Sequence, residues 1–218
     1  MLTDTPIQDW QDFMRPTNPR LNALLRLLES EVSKRANGQD ATPLRVYIDG
    51  PTGLGKTTLA KLIAHKLGAP AMEVDGTELT VDLLDSLKGN AFMWRVLVVN
   101  EAQNVTGSHS KRLMSAIDGM GKRSCIIFTT MEQSCKAKPL FADYQQDRAI
   151  TDRCLEVHLT NQGIKSPENI ERVMRLAQGA GLLGNADRKA VENLFESEQN
   201  SIRGVLAAIS RGVLLDAA

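Results

Sequence analysis

In a chain of 218 residues, the eight from Gly50 to Thr57 (GPTGLGKT) have the types and spacing to grip a phosphate tail. They fit the pattern G-x-x-x-x-G-K-[ST]. Glycines at 50, 53 and 55 let the backbone turn its N–H groups inward, where they cradle anionic oxygens. The Lys56 ammonium reaches the β- and γ-phosphates of a nucleoside triphosphate, and the Thr57 hydroxyl is a hard oxygen ligand for Mg²⁺. The flanking sequence agrees. A β-branched and apolar run over 44–49 enters the loop, and a helical pattern over 56–67 leaves it and adds the positive end of its dipole. Gly50, Pro51, Thr52, Gly53, Leu54, Gly55, Lys56, Thr57 and Thr58 are the expected set around ATP.

A second group lies downstream. Val96-Leu97-Val98-Val99 is an apolar strand that ends in Asn100-Glu101. Acids at such a strand end hold Mg²⁺, directly or through water, and polarise the attacking water. Glu101 suits the second role. Asn100 stands with Thr57 on the metal side, where it keeps a carbonyl oxygen but lacks the full charge that hard Mg²⁺ prefers. Slow hydrolysis with retained nucleotide binding is therefore expected.

These residues need a frame to hold them. Apolar runs predict strands at 44–49, 71–74, 95–99, 124–129 and 154–159, alternating with helices at 56–67, 79–88 and 109–118. That alternation implies a five-stranded parallel sheet sandwiched by helices. Leu21, Leu24, Leu25, Leu28 and Val32 recur at helical spacing over 19–35. After 159 the strands stop, and three helices are expected. The first has Ser166 as cap and Pro167 in its first turn and runs to about 178; the others cover 186–197 and 201–215. The chain divides into an N-terminal arm and helix (1–43), an α/β nucleotide-binding domain (44–160) and a small helical lid (161–218).

With both motifs in place, the chain resembles the AAA+ ATPases, a family of P-loop NTPases, and within them the clamp-loader and RuvB-like group. The phosphate loop through Ala60 is very similar to that of the RuvB-like members. Asn100-Glu101-Ala102-Gln103 followed by Ser108-His109-Ser110 resembles the clamp-loader D-E-x-H and S-x-H-S. The run Ile126-Ile127-Phe128-Thr129-Thr130 resembles the sensor 1 strand, with Thr130 as the γ-phosphate sensor. The stretch from Asp152-Arg153-Cys154 resembles the S-R-C motif, which makes Arg153 the arginine finger that enters a neighbouring subunit's site. Ser201-Ile202-Arg203 resembles the sensor 2 helix, with Arg203 as sensor. The resemblance implies Lys56, Glu101, Thr130, Arg153 and Arg203 as the catalytic set. It also implies an oligomer joined through the ATPase interface, a replication or recombination protein as partner, and DNA as a possible contact. Guanidinium suits both arginine roles because it is planar, always charged and offers fixed donors to the γ-oxygens.

The departures are as informative. Asp152 replaces the serine before Arg153 and offers a carboxylate that competes for the finger. The link over 131–151, with Lys136, Lys138, Tyr144 and Arg148, is longer than the family's and reads as a solvated insertion. The family's zinc module and collar find no counterpart. With 26 basic and 26 acidic residues there is no global basic field. The basic pairs Lys34-Arg35, Lys111-Arg112 and Lys122-Arg123 read as solvated faces. Cys125, Cys135 and Cys154 make no metal-ligating pattern and fit a reducing cytoplasm; His65, His109 and His158 show no metal spacing either. No apolar run approaches the ~18 residues of a membrane span, and the first residues do not resemble a signal peptide. Two functions compete: an ATPase that loads or remodels a replication or recombination complex, as a clamp loader or helicase loader does, and a hydrolysis-poor module in which ATP only gates assembly. An unfolding motor is disfavoured, because Ala91-Phe92-Met93-Trp94 reads as a buried approach to the central strand and not as a pore loop.

Overall fold

The computed structural model describes residues 13, 19–37, 39–105, 107–131 and 150–215. Trp10 of the arm and Lys136, Lys138, Tyr144 and Arg148 of the long link lie outside the described residues, as do the side chains of Arg35, Ser108, His109 and Lys111.

The first compact unit comprises Asn18–Gly50 and Lys56–His158. Its elements run α1 (Pro19–Ala36), β1 (Leu44–Asp49), α2 (Lys56–Lys66), β2 (Ala71–Asp75), α3 (Val81–Asp85), β3 (Arg95–Asn100), α4 (Gly107–Asp118), β4 (Ser124–Thr129) and β5 (Leu155–His158). The strands lie in the order β2-β3-β4-β1-β5, and every pairing is parallel. The five-stranded parallel sheet with helices on its faces is thus as the alternation predicts. Parallel pairing brings all five strand ends to one edge, where open α/β sheets hold their ligands.

Pleat alternation divides the core. Tyr47, Leu97, Val99, Ile126 and Phe128 pack with Leu84, Leu113, Ala116 and Ile117 of α3 and α4. On the α1 and α2 side, Val46, Ile48, Val98 and Ile127 are buried, as are Leu21, Leu24, Leu59 and Ile63. β4 is buried along its whole length, the signature of a central strand covered on both faces. Glu31 is buried in α1, but its carboxylate accepts from Lys34 Nζ (2.6 Å) and from the Thr42 amide (2.9 Å), so the charge is paired.

The second unit takes in Pro51–Gly55 and the chain from Leu159 onward, together with Phe13. It contains α5 (Pro167–Gly179), α6 (Arg188–Ser197) and α7 (Ile202–Ser210). Each helix starts on a side-chain cap: Ser166 accepts from the Asn169 amide, Asp187 from Ala190 and Ser201 from Gly204. Phe13 is buried, and its carbonyl accepts from Arg172 Nη1 at 2.9 Å.

The expected helices were longer in two places. α3 covers 81–85 where 79–88 is the periodic stretch, because a cap at Thr80 starts it late and a turn after Ser86 ends it early. α7 stops at 210 and gives way to turns through 215.

Phe128 is fully buried at the centre of the sheet. Phe128→Ala should cost about 3–5 kcal/mol of stability, read as a lower urea midpoint at unchanged slope.

Candidate active site

The phosphate loop leaves β1 at Gly50 and enters α2 at Lys56. Gly50, Gly53 and Gly55 have φ of 143°, 87° and 84°, in the region that side chains disfavour. The Lys56 side chain is buried, and its ammonium donates to the Gly50 carbonyl at 2.7 Å. The cation is therefore held on the carbonyl at the end of β1.

One residue after Lys56, the Thr57 hydroxyl donates to Asn100 Oδ1 at 3.2 Å. The Thr129 hydroxyl donates to the same oxygen at 2.9 Å. The start of α2 and the ends of β3 and β4 thus converge on one carbonyl. With its proton directed at Asn100, Thr57 Oγ1 has lone-pair density left for a cation. Thr57 Oγ1 fits Mg²⁺, which takes one or two protein oxygens and completes its shell with phosphate and water; Asn100 Oδ1, already accepting two hydroxyls, would face the metal through one of those waters. Among the described residues no cluster of three His, Cys, Asp or Glu side chains forms a separate metal site.

Glu101 follows Asn100 in the left-handed region (φ 48°, ψ 48°) and opens a 3₁₀ turn over Ala102–Asn104. Its carbonyl lies so close to Gly76 that a Cβ there would come within 2.6 Å, so the approach needs glycine. The Glu101 carboxylate accepts from Gln103 Nε2.

The remaining sequence-derived candidates fall differently. Thr130 is buried, and its hydroxyl lies 3.3 Å from the Tyr47 hydroxyl; the strand-end hydroxyl on Asn100 is that of Thr129, which sequence reading passed over. Arg153 follows β4 and precedes β5, and its Nε donates to Asp118 at the end of α4 at 2.8 Å. Adjacency points to Asp152 as the competing carboxylate; the structure puts Asp118 on that nitrogen. Arg203 is exposed in the first turn of α7, and its backbone N–H donates to the Gly53 carbonyl at 3.1 Å.

One basic pair does more than face solvent. Arg123 donates to the carbonyls of Ala91 (3.4 Å) and Phe92 (2.9 Å), and Lys122 pairs with Asp40. The stretch they brace splits in two: Trp94 is buried, as expected of an approach to β3, but Phe92 is 91% exposed. His158 bridges Asp49 and Glu156 at the ends of β1 and β5. Burial raises the Cys125 thiol pKa well above its usual value and raises Cys154 to about 12, so neither is a nucleophile near neutral pH. No helix of the described residues is long and apolar enough to cross a membrane.

Comparison with known proteins adds to this geometry. Residues 46–151 match the ATPase family associated with various cellular activities (AAA). The Holliday junction branch migration complex subunit RuvB of Bifidobacterium longum is 31% identical over 101 residues, 46% of this chain and 28% of that protein. Replication factor C subunit 1 of Arabidopsis thaliana is 27% identical over 175 residues, 72% of this chain and 18% of that protein. The chain therefore spans under a third of either curated relative. The structure of the Thermotoga maritima RuvB branch migration motor superposes with a TM-score of 0.61 at 21% identity, covering 94% of this chain and 64% of that one; it shares the fold.

Gly53 gives the site its sharpest steric test. A Cβ there would lie 2.3 Å from Ser201 Oγ, on a backbone at φ +87°. Gly53→Ala should lower stability by about 1–3 kcal/mol, read by thermal unfolding, and Ser201→Ala in the same chain should recover part of the loss.

Proposed function

We propose, from the premise that residues 46–151 are an AAA ATPase domain of the RuvB-like and clamp-loader-like group, that this chain binds ATP with Mg²⁺ and hydrolyses it slowly to remodel a DNA replication or recombination assembly. The observation that carries the reading is the convergence of the Thr57 and Thr129 hydroxyls on Asn100, next to the buried Lys56 on the Gly50 carbonyl.

In this reading the loop amides and Lys56 hold the β- and γ-phosphates, and Thr57 with Asn100 holds the Mg²⁺ side of the nucleotide. The metal supplies charge neutralisation on the phosphate oxygens. Glu101 takes a proton from water as the water oxygen bonds to the γ-phosphorus; the bond from that phosphorus to the β,γ-bridging oxygen breaks, and ADP and phosphate leave. Residues 44–160 serve as the nucleotide-binding domain and 161–218 as the lid, with Arg203 as its sensor. The functions named in the relatives, branch migration and replication, favour a DNA-associated oligomer, which acts as a clamp-loader-like or helicase-loader-like subunit.

A second reading has its own support in Asn100. A neutral amide accepts weaker hydrogen bonds than a carboxylate, by roughly a factor of two. Hydrolysis could then be slow enough for ATP to act as an assembly gate.

Turnover and binding separate the two. Lys56→Ala should weaken ATP binding at least about tenfold by calorimetry, the worth of about 1.4 kcal/mol. Glu101→Gln should hold ATP but lose about 10²–10⁴ in turnover. Asn100→Asp should raise turnover about tenfold, the worth of one charge-assisted hydrogen bond. ATP binding with no turnover in the wild type or in Asn100→Asp would select the gate, and no binding at all would sink both readings.

Arg153 is tested through assembly. Its pair with Asp118 is exposed and worth about 0.2–1 kcal/mol, which a phosphate can outbid. Arg153→Ala should abolish the rise in specific activity with protein concentration, while Asp118→Ala leaves it intact. Equal slopes for wild type and Arg153→Ala would remove the finger.

A further inference from the structure

Gln103 is the polar side chain at this site that the phosphate chemistry leaves unassigned. The chain reaches it by a tight reversal. Glu101 sits at φ 48°, the Asn104 amide closes on the Glu101 carbonyl at 2.8 Å, and the Val105 amide closes on Ala102 at 3.1 Å. This fold-back brings Gln103 Nε2 onto Glu101 Oε2. The other end of the amide, Oε1, is buried and has no hydrogen-bond partner among the described residues.

The asymmetry decides the role. A glutamine that ties a scaffold together uses both its donor and its acceptor. Here the donor end serves a carboxylate and the acceptor end goes unmet, which is unfavourable on its own. The reverse orientation would press the amide oxygen against the carboxylate, so the donor end is fixed on the acid. The side chain is arranged for Glu101 and not for the surrounding fold.

We propose that Gln103 is a positioning residue for Glu101. It holds Oε2 and so leaves Oε1 aimed to receive the proton of the attacking water. This rests on the reading of Glu101 as the water-polarising acid. The bonds made and broken are those given above: water oxygen to γ-phosphorus, γ-phosphorus from the bridging oxygen, and the water proton to Glu101. Gln103 takes no proton. It removes a rotation of the carboxylate that would otherwise have to be frozen in the transition state, and misplacement of a reacting group by about 1 Å costs on the order of 10²-fold.

The test compares Gln103→Met, which keeps the volume and loses the donor, with Gln103→Ala and with Gln103→His, which restores an N–H. Steady-state hydrolysis of radiolabelled ATP gives kcat, and calorimetry gives ATP affinity. Met and Ala should lower kcat about 10–100-fold with ATP affinity within about twofold, and His should recover most of the rate. In the Glu101→Gln background, Gln103→Met should have no further effect, because its action passes through Glu101. An unchanged kcat in Gln103→Met, a loss expressed in ATP affinity, or an undiminished loss in the Glu101→Gln background would overturn the inference and leave the role of Glu101 standing. A wild-type rate in Glu101→Gln would instead remove the reading beneath it.

Discussion

The edge where the parallel strands end is organised around one carbonyl oxygen. Asn100 Oδ1 accepts hydrogen bonds from Thr57 at the start of α2 and Thr129 at the end of β4. It thereby joins the phosphate-loop helix to two neighbouring strands at the edge where their backbones end. Hydroxyls rotate freely until they find an acceptor. With both protons committed to Asn100, the lone pairs of Thr57 face a defined direction. The parallel pairing of β3 with β4, Val99 opposite Phe128, brings these strand ends to the same level.

That arrangement separates geometry from charge. A carboxylate at position 100 would accept the same two hydroxyls and would add a full charge toward a divalent cation. The amide preserves the hydrogen-bond pattern and gives up the charge. Hydrogen bonds to neutral acceptors are weaker than charge-assisted ones, and a divalent cation beside the amide would lack Coulombic attraction that a low-dielectric site magnifies. On the proposed reading, such a site holds a nucleotide but drives its hydrolysis weakly. Lys56, buried and turned onto Gly50, is consistent with this balance: the cation of the site is held by a main-chain dipole.

The frame was largely legible in the sequence. Each of the five strands lies within one residue of its apolar run, since short β-branched runs bounded by loops leave little freedom. That Thr57 and Asn100 stand together was legible because loop and strand end are local motifs. What escaped depends on parity and on remote contacts. β4 is apolar on both faces, so alternation gives no phase; whether Thr129 or Thr130 meets Asn100 is then set by pleat and register. Asp118 and Arg153 meet because α4 and the start of β5 are brought together in space, which no local pattern reports. Phe92 reads as core by composition, but the stretch around it is braced through its carbonyls by Arg123, which lies far along the chain. Gln103 is a plain polar residue in sequence; only the left-handed turn at Glu101 gives it a partner.

In the helical unit, main chain and side chain divide the labour at the start of α7. The first N–H groups of a helix have no intrahelical acceptor. Ser201 supplies one acceptor through its hydroxyl to Gly204, and the Gly53 carbonyl supplies another to the Arg203 amide. Both requirements are met without the Arg203 guanidinium, which stays exposed. The helix start is therefore anchored to the phosphate loop by a bond that replacement of the arginine leaves in place. Gly53 has to remain glycine for that anchor, since a methyl group there would collide with the cap itself. Positioning is thus written into the backbone and does not call on the arginine's side chain.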